Sequence, residues 1–286
     1  MKTNKSLLFT LWSAAIVLCA GLSIFALLFA ACSKTPDSGK TAHDDDDDDF
    51  VVESARPTSD EDEPESSEPP EPQTPDAPVR LAETPDAGRE YLDQIIFLGD
   101  STTYGIGAYY GYGYTDLCPP SQVWTPSSGT LTLSYYNVAT VVYPETGEEI
   151  PIAEAAEKAK PKVMVLTLGV NGIAFMDEEW FIRDYTALVE MIKTASPDTR
   201  LILNSIYPVA ASYQHQKDIN NDKIRAANGW IETIAANTGC RFLNSFEALV
   251  GSDGYLPEDR QNGDGLHLTG EAFGIVMNYI RTHAYI

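Results

Sequence analysis

The sequence predicts an α/β fold, a three-layer α/β/α sandwich with a mainly parallel central sheet. From residue 95 onward, short apolar runs alternate with longer segments of helical periodicity, which is the pattern of βαβ units. The run Ile95–Leu98 is predicted to be a buried central strand, because it is apolar and partly β-branched and ends abruptly at Gly99. Further strands are predicted at 161–168, 200–206 and 240–243, and helices at 152–160, 178–195, 219–238 and 270–283.

Two stretches between these elements have other patterns. Residues 104–114 are rich in glycine and tyrosine. Their helix propensity is low, and so many glycines also disfavour a regular strand. We expect a flexible loop there, whose tyrosines either form a wall for stacking sugars or pack over the sheet edge. Residues 130–133 and 137–143 are β-prone and lie near the turn residues 144–147, which predicts a hairpin before the helix at 152.

The chain divides into three predicted parts: a membrane anchor or lipoprotein signal at 1–33, a disordered linker at 34–85, and a folded domain at 86–286. Lys2 and Lys5 precede an uncharged run, Ser6–Ser33, which is long enough to cross a bilayer as a retained anchor. The same run ends in Leu-Phe-Ala-Ala-Cys32, which resembles a bacterial lipobox with Cys32 as the lipidated residue. Both readings place the folded domain at the extracellular face of the cell membrane.

Charge is concentrated in the predicted linker. Residues 33–79 carry sixteen acidic and three basic side chains, so this segment cannot bury enough apolar surface to offset its ordering entropy. Of the net charge of −23, twelve negative charges remain on the part from Arg80 onward. This balance argues against nucleic acid or anionic lipid as a partner of the folded domain, and it favours neutral or weakly charged substrates.

Two polar motifs, far apart in the sequence, suit nucleophilic catalysis. A strand ending at Gly99-Asp100-Ser101 presents the Ser101 hydroxyl at the sheet edge where ligands bind, and a helix starting there would direct free N–H groups to the same place. Asp264 precedes His267 by three residues in a glycine-rich turn, so it can accept from one imidazole nitrogen while the other faces the serine. Asp-Ser after a strand is also an ordinary turn or N-cap pair.

These motifs resemble a known family when taken in order. Gly99-Asp100-Ser101, Gly169-Val-Asn171 and Asp264-x-x-His267 are similar to the first, third and fifth blocks of the SGNH (GDSL-like) hydrolases, and the resemblance extends from Gln94 to the C terminus. It implies the flavodoxin-like fold of that family, with Ser101 as nucleophile, His267 as general base and Asp264 as its orienting partner. It also implies that the N–H of Ser101 and the side-chain amide of Asn171 stabilise the oxyanion.

The sequence departs from the family pattern at two places. The third block usually reads Gly-x-Asn-Asp, whereas Gly172 follows Asn171 here. The second block supplies a glycine N–H to the oxyanion hole, and no segment between 105 and 160 matches it clearly. Gly129 is the candidate for that donor. A missing donor typically costs about 10²- to 10³-fold in turnover, so this departure bears on rate rather than on reaction type.

The resulting hypothesis is an extracytoplasmic serine esterase that removes small O-acyl groups, such as acetyl, from carbohydrate or cell-envelope substrates. One alternative, an O-acyltransferase, uses the same residues. A second alternative, suggested by the two departures from the family pattern, is a non-catalytic glycan-binding module on a surface tether. The expected partners are an acylated carbohydrate or other small ester and the membrane, through the N-terminal anchor, with no nucleic acid; we expect a monomer.

The mechanism requires no cofactor. A metal site is not expected, because the four histidines form no ligand-spaced pair with each other or with cysteine. His215 and His283 are assigned to a polar loop and to a helix end. Cys118 and Cys240 could form a disulfide outside the cell or remain free thiols, and the sequence does not choose between these states.

Overall fold

The computed structural model describes residues 78–286. The predicted anchor, with Cys32, and nearly all of the predicted linker lie outside the described residues. Within 78–286, no helix has both the length and the apolar character needed to cross a membrane.

The centre of the molecule is a five-stranded sheet in which every neighbouring pair is parallel. The strands of the described region are β1 (Ile95–Gly99), β2 (Val123–Trp124), β3 (Thr140–Val142), β4 (Glu149–Pro151), β5 (Val163–Thr167), β6 (Arg200–Asn204) and β7 (Arg241–Leu243). Their order in the sheet is β2-β1-β5-β6-β7, and β3 and β4 form a separate antiparallel pair. Gly99 pairs with Thr167, so β1 and β5 end at the same edge of the sheet.

Within residues 78–286, seven α-helices surround the sheet: α1 (Gly88–Leu92), α2 (Ser101–Gly111), α3 (Ile152–Ala159), α4 (Glu178–Ala195), α5 (Asn221–Thr238), α6 (Ser245–Leu249) and α7 (Gly270–Thr282). Alternation along β5 shows that both faces of the sheet are covered. Met164 and Leu166 lie in a buried cluster with apolar residues of α3, α4 and α5. Val163 and Val165 lie in a second cluster, with residues of α1, α2 and α7. The predicted three-layer sandwich is therefore confirmed.

Helix α4 shows how local sequence determines an element when its signals agree. Its bounds equal the predicted range 178–195, and its buried residues recur at helical spacing through Phe181, Tyr185, Leu188 and Ile192. The side chain of Asp177 accepts a hydrogen bond from the backbone N–H of Trp180 and so caps the first turn.

The prediction of a flexible loop over 104–114 was wrong for most of that stretch. Helix α2 continues from Ser101 to Gly111, because its glycines allow close packing. A Cβ at position 105 would lie 2.7 Å from two ring atoms of Phe273 in α7, and a Cβ at position 107 would lie 3.2 Å from Pro120 Cα. The close packing of Phe273 and Pro120 against these glycines outweighs the low helix propensity of glycine.

The segment between β2 and α3 was predicted in part. The pair β3 and β4 is the expected hairpin around residues 144–147, and its register is Val141 opposite Ile150. The expected strand at 130–133 is wrong, since a short 3₁₀ turn, Leu133–Tyr135, begins there. Strand β2 was missed because it has only two residues. Cys118 and Cys240 are buried free thiols in the two different clusters, so they do not pair.

We expect Gly105→Ala to lower the free energy of unfolding by roughly 1–3 kcal/mol, because the added methyl group would overlap the Phe273 ring. Urea denaturation measures this loss. Gly111→Ala is the matched control in the same helix, since no atom lies within 4 Å of its Cβ position. It should raise stability by up to about 1 kcal/mol. A neutral Gly105→Ala would contradict the packing account of α2.

Candidate active site

The turn between β1 and α2 sets the position of Ser101. Asp100 has an extended backbone and caps α2, because its Oδ1 accepts from the backbone N–H of Thr102 at 2.9 Å and from the Thr102 hydroxyl at 2.7 Å. A side chain at Gly99 would collide with the Thr103 hydroxyl and the Thr167 carbonyl oxygen. Ser101 is therefore the first residue of a helix at the carboxyl end of a central strand, and its backbone N–H has no intrahelical acceptor.

The loop before α7 brings His267 to this serine. His267 Nε2 lies 2.8 Å from Ser101 Oγ, and His267 Nδ1 lies 2.6 Å from Asp264 Oδ2. The other carboxylate oxygen, Asp264 Oδ1, accepts from the backbone N–H groups of Leu266 and His267 at 2.8 and 2.9 Å. The structure thus joins the three predicted residues in one chain of hydrogen bonds that spans 166 positions of sequence.

Glycine shapes this loop. Gly265 has a φ of +81°, and a Cβ there would lie 2.7 Å from the Cα of Tyr213. The carbonyl oxygen of Gly265 accepts from the backbone N–H of Ala210 at 2.8 Å, which ties the loop to the segment after β6. The tight turn therefore needs glycine both for its conformation and for its close approach to Tyr213.

The electrostatics of the pair favour an ionised Asp264. Burial raises the pKa of this carboxyl, but the hydrogen bond and charge of His267 and two backbone N–H groups lower it, and the net pKa is below its ordinary value. With Asp264 as the acceptor, Nδ1 of His267 carries a proton and Nε2 has a lone pair toward the serine. About a quarter of the His267 side chain and a third of the Asp264 side chain are exposed, so the pair remains accessible from solvent.

Asn171 lies on the turn after β5, the strand next to β1. Its Nδ2 donates to the carbonyl oxygen of Leu131 at 3.1 Å, which fixes the amide and leaves one of its two N–H groups for another acceptor. Asn171 is not part of the Ser-His-Asp chain of hydrogen bonds. The contact with Leu131 was not foreseen, because no pattern in the sequence links residues 40 positions apart.

The two departures from the family pattern have structural counterparts. A Cβ at Gly172 would lie 2.7 Å from Met176 Sδ, so Met176 fills the space next to this position. Gly129, the candidate for the second-block donor, does not supply this donor, because its N–H already donates to the carbonyl oxygen of Pro126 at 2.8 Å in a turn. A Cβ at this position would lie 3.4 Å from the ring of Tyr104.

The remaining histidines of the described region lie outside the Ser-His-Asp chain. The ring of His283 stacks on Tyr279 with centroids 3.9 Å apart, and the ring of His215 makes an edge contact with Tyr213. Among residues 78–286, no group of three or more His, Cys, Asp or Glu side chains is arranged to hold a metal ion.

Comparison with solved structures finds similar folds at low identity. A GDSL-like lipase from Bacteroides thetaiotaomicron VPI-5482 is 19% identical, with a TM-score of 0.46 over 66% of this chain and 87% of the other. A carbohydrate esterase family 3 protein from Talaromyces cellulolyticus is 16% identical, with a TM-score of 0.43 over 65% of this chain and 93% of the other. The lipopolysaccharide acetyltransferase periplasmic domain of Salmonella ser. Paratyphi A is 16% identical, with a TM-score of 0.42 over 71% of this chain and 84% of the other.

No curated protein matches the sequence. The model of the GDSL-like lipase/acylhydrolase family matches residues 97–273, which is more than half of the chain and spans the segment from β1 to the start of α7. The match includes the Ser101 turn, Asn171 and the Asp264–His267 loop. The chain therefore belongs to the GDSL-like lipase/acylhydrolase family and is a serine ester hydrolase of the SGNH type.

Proposed function

We propose that this protein removes small O-acyl groups from carbohydrate outside the cytoplasm, with Ser101, His267 and Asp264 as its catalytic triad. The observation that carries the proposal is the continuous chain of hydrogen bonds from Ser101 Oγ through His267 to Asp264. A non-catalytic glycan-binding module would not need a serine, a histidine and a carboxylate in this order and at these distances. The extracytoplasmic location rests on the sequence of residues 1–33.

In the proposed first step, Ser101 Oγ attacks the ester carbonyl carbon while His267 Nε2 takes the hydroxyl proton. His267 then gives this proton to the departing alcohol as the ester C–O bond breaks, which leaves an acyl group on Ser101. Water then attacks the acyl carbon while His267 accepts its proton. His267 returns this proton to Ser101 Oγ as the bond between Oγ and the acyl carbon breaks, and the free acid leaves. Asp264 stabilises the imidazolium that forms in each step.

The oxyanion of each tetrahedral intermediate needs donors that are already in place. The N–H of Ser101 is one, because it is a free donor at a helix N terminus. The unpaired N–H of the Asn171 amide is the other, and the Leu131 carbonyl holds that amide in one orientation. Each such donor is worth about 10²- to 10³-fold in kcat, so two donors support useful turnover without Gly129.

A groove along α2, the helix that begins at Ser101, supports a carbohydrate as the substrate. It has a volume of about 440 Å³ and lies between α2 and the β3–β4 hairpin. Tyr104 and Ala108 of α2 contribute to its lining, and they lie three and seven residues after Ser101, on nearly the same face of the helix. Tyr104 is therefore about one helical turn from the proposed nucleophile.

The lining of this groove suits a neutral, hydroxyl-rich ligand. None of its residues carries a charge, although the chain has a net charge of −23. Proline and tyrosine rings offer apolar surfaces to the C–H faces of a sugar, and three hydroxyl side chains, Ser121, Thr125 and Ser127, can bond its hydroxyl groups. The groove is open to solvent, whereas a long acyl chain would favour an enclosed apolar pocket.

Replacing the proposed nucleophile or base should abolish hydrolysis of p-nitrophenyl acetate. We expect Ser101→Ala and His267→Ala each to lower kcat by about 10⁴-fold or more, because the triad acts as a unit. His283→Ala is the matched control, since this histidine lies after the opposite end of α7. Initial rates on the acetate, butyrate and octanoate esters also measure the chain-length preference, which should favour acetate. Equal rates for the wild type and Ser101→Ala would exclude the proposed hydrolysis.

Filling the groove should separate large from small substrates. We expect Ser121→Trp to lower kcat/KM for acetylated xylo-oligosaccharides by about tenfold or more, which corresponds to about 1.4 kcal/mol of lost binding. The kcat/KM for p-nitrophenyl acetate should stay within about twofold of the wild-type value, because the small ester does not reach the groove. Ser252→Trp, another exposed serine outside the groove, controls for the added indole. Equal effects of Ser121→Trp on both substrates would argue against a sugar in the groove.

A further inference from the structure

Phe175 is an exposed aromatic ring on the turn that carries Asn171. Its exposed fraction is 53%, whereas Ile173 and Met176 of the same turn are each 5% exposed and belong to the buried core. These two side chains, and not Phe175, attach the turn to the core. Exposure of a single apolar side chain is ordinary, so the position and the support of this ring decide what it can do.

The turn places Phe175 on the same side as Asn171. Within residues 169–176, two backbone N–H groups donate to the carbonyl oxygens four positions earlier, at 3.1 and 2.9 Å. These are hydrogen bonds of the helical type, so side chains that are four positions apart face the same way. Asn171 and Phe175 are such a pair, which puts the exposed ring beside the amide that is proposed to bind the oxyanion.

A neighbouring indole holds the ring of Phe175. The ring packs edge-on against Trp180 of α4, with centroids 5.6 Å apart and planes at 65°. The indole N–H of Trp180 donates to Asp184 Oδ2 at 2.7 Å, and Asp184 Oδ1 accepts from Arg183 at 2.9 Å. Because these bonds fix Trp180, a ligand that packs against Phe175 pays little to order the ring.

The surroundings of the ring favour one kind of ligand. Glu178 and Glu179 are exposed on the first turn of α4, next to Trp180. Their carboxylates accept hydrogen bonds from hydroxyl groups, but packing an apolar acyl chain beside them would remove water from charged groups. A sugar ring has both matching parts, an apolar C–H face for Phe175 and hydroxyl groups for the carboxylates.

We propose that Phe175 is a specificity-determining residue, whose exposed face stacks on a sugar ring of the acylated substrate while the ester carbonyl lies at Ser101 and Asn171. This inference rests on the proposed function and adds a second sugar-binding surface to it. The first surface is the groove along α2, and the second is on the turn after β5.

The two surfaces are joined by residues 129–131. At the start of this segment, a Cβ at Gly129 would lie 3.4 Å from the ring of Tyr104, which lines the groove. At its end, the carbonyl oxygen of Leu131 accepts from Asn171. An oligosaccharide that lies along this segment contacts Tyr104 at one end and Phe175 at the other.

A comparison of two substrates tests the stacking. We expect Phe175→Ala to lower the ratio of kcat/KM for acetylated xylo-oligosaccharides to kcat/KM for p-nitrophenyl acetate by about tenfold, mainly through KM, because the ring binds substrate without taking part in the reaction. Phe175→Tyr keeps the flat ring and should keep the ratio within about twofold. Phe175→Leu keeps an apolar side chain without a flat face, so its ratio should fall as in Phe175→Ala.

Tyr112→Ala is the matched control for these variants. Tyr112 is 61% exposed and follows the end of α2 that is opposite to Ser101. Its removal should not change the ratio.

A second measurement does not depend on turnover. In the Ser101→Ala protein, isothermal titration calorimetry gives the Kd of the same acetylated xylo-oligosaccharides without their hydrolysis. We expect the added change Phe175→Ala to raise this Kd by about tenfold, and the added change Tyr112→Ala to leave it as it is.

The possible outcomes separate the sugar contact from the proposed hydrolysis. Equal losses of Phe175→Ala on both esters would show that the ring only supports the Asn171 turn. A larger loss on p-nitrophenyl octanoate than on the acetate would show that it binds the acyl chain. Either result, an unchanged Kd, or no measurable binding to Ser101→Ala overturns the sugar contact and leaves ester hydrolysis intact. If the wild type is no more active than Ser101→Ala, the hydrolysis fails, whereas the Kd comparison still decides the sugar contact.

Discussion

The site depends on one constraint, the parallel pairing of β1 with β5 up to Gly99 and Thr167. The two strands approach so closely there that only glycine fits at position 99, and the chain then turns at once into α2. The residue at this corner must cap the helix, and the next residue has its side chain at the sheet edge with a free backbone N–H. A strand, a glycine, a capping carboxylate and a serine thus follow one another for steric and hydrogen-bonding reasons.

The partners of Ser101 reach it from distant parts of the chain, and each is held by its own local contact. The loop with Asp264 and His267 is fixed through Gly265 against Tyr213 and Ala210, and the turn with Asn171 is fixed through the Leu131 carbonyl. The sheet brings these loops together, because the carboxyl ends of neighbouring parallel strands share one edge. For the proposed reaction, the chain of hydrogen bonds from Ser101 to Asp264 is already formed, so little rearrangement would be needed when substrate binds.

The sequence was sufficient to predict an element or a contact where the signal was local or where the residue types of a motif indicated their hydrogen bonds. Helix α4 has an apolar period and an aspartate cap, and its bounds were predicted without error. The spacing of Asp264 and His267 likewise indicated the hydrogen bonds that the structure contains. The extent of helix α2 through residues 104–111 was not predicted, because Gly105 packs against Phe273, which lies 168 positions later in the sequence. Gly129 was considered as an oxyanion donor because its sequence does not show that its N–H already bonds to the carbonyl oxygen of Pro126 in a turn.

We propose Ser101 as a nucleophile that His267 activates, and labelling of this serine tests the proposal most directly. The measurement is mass spectrometry of the protein after treatment with a fluorophosphonate, which forms a stable bond only with an activated serine. We expect one adduct, on the peptide that contains Ser101, and its loss in His267→Ala. An adduct that is absent from the wild type, located on another serine, or equally abundant in His267→Ala would contradict the activation of Ser101 by His267.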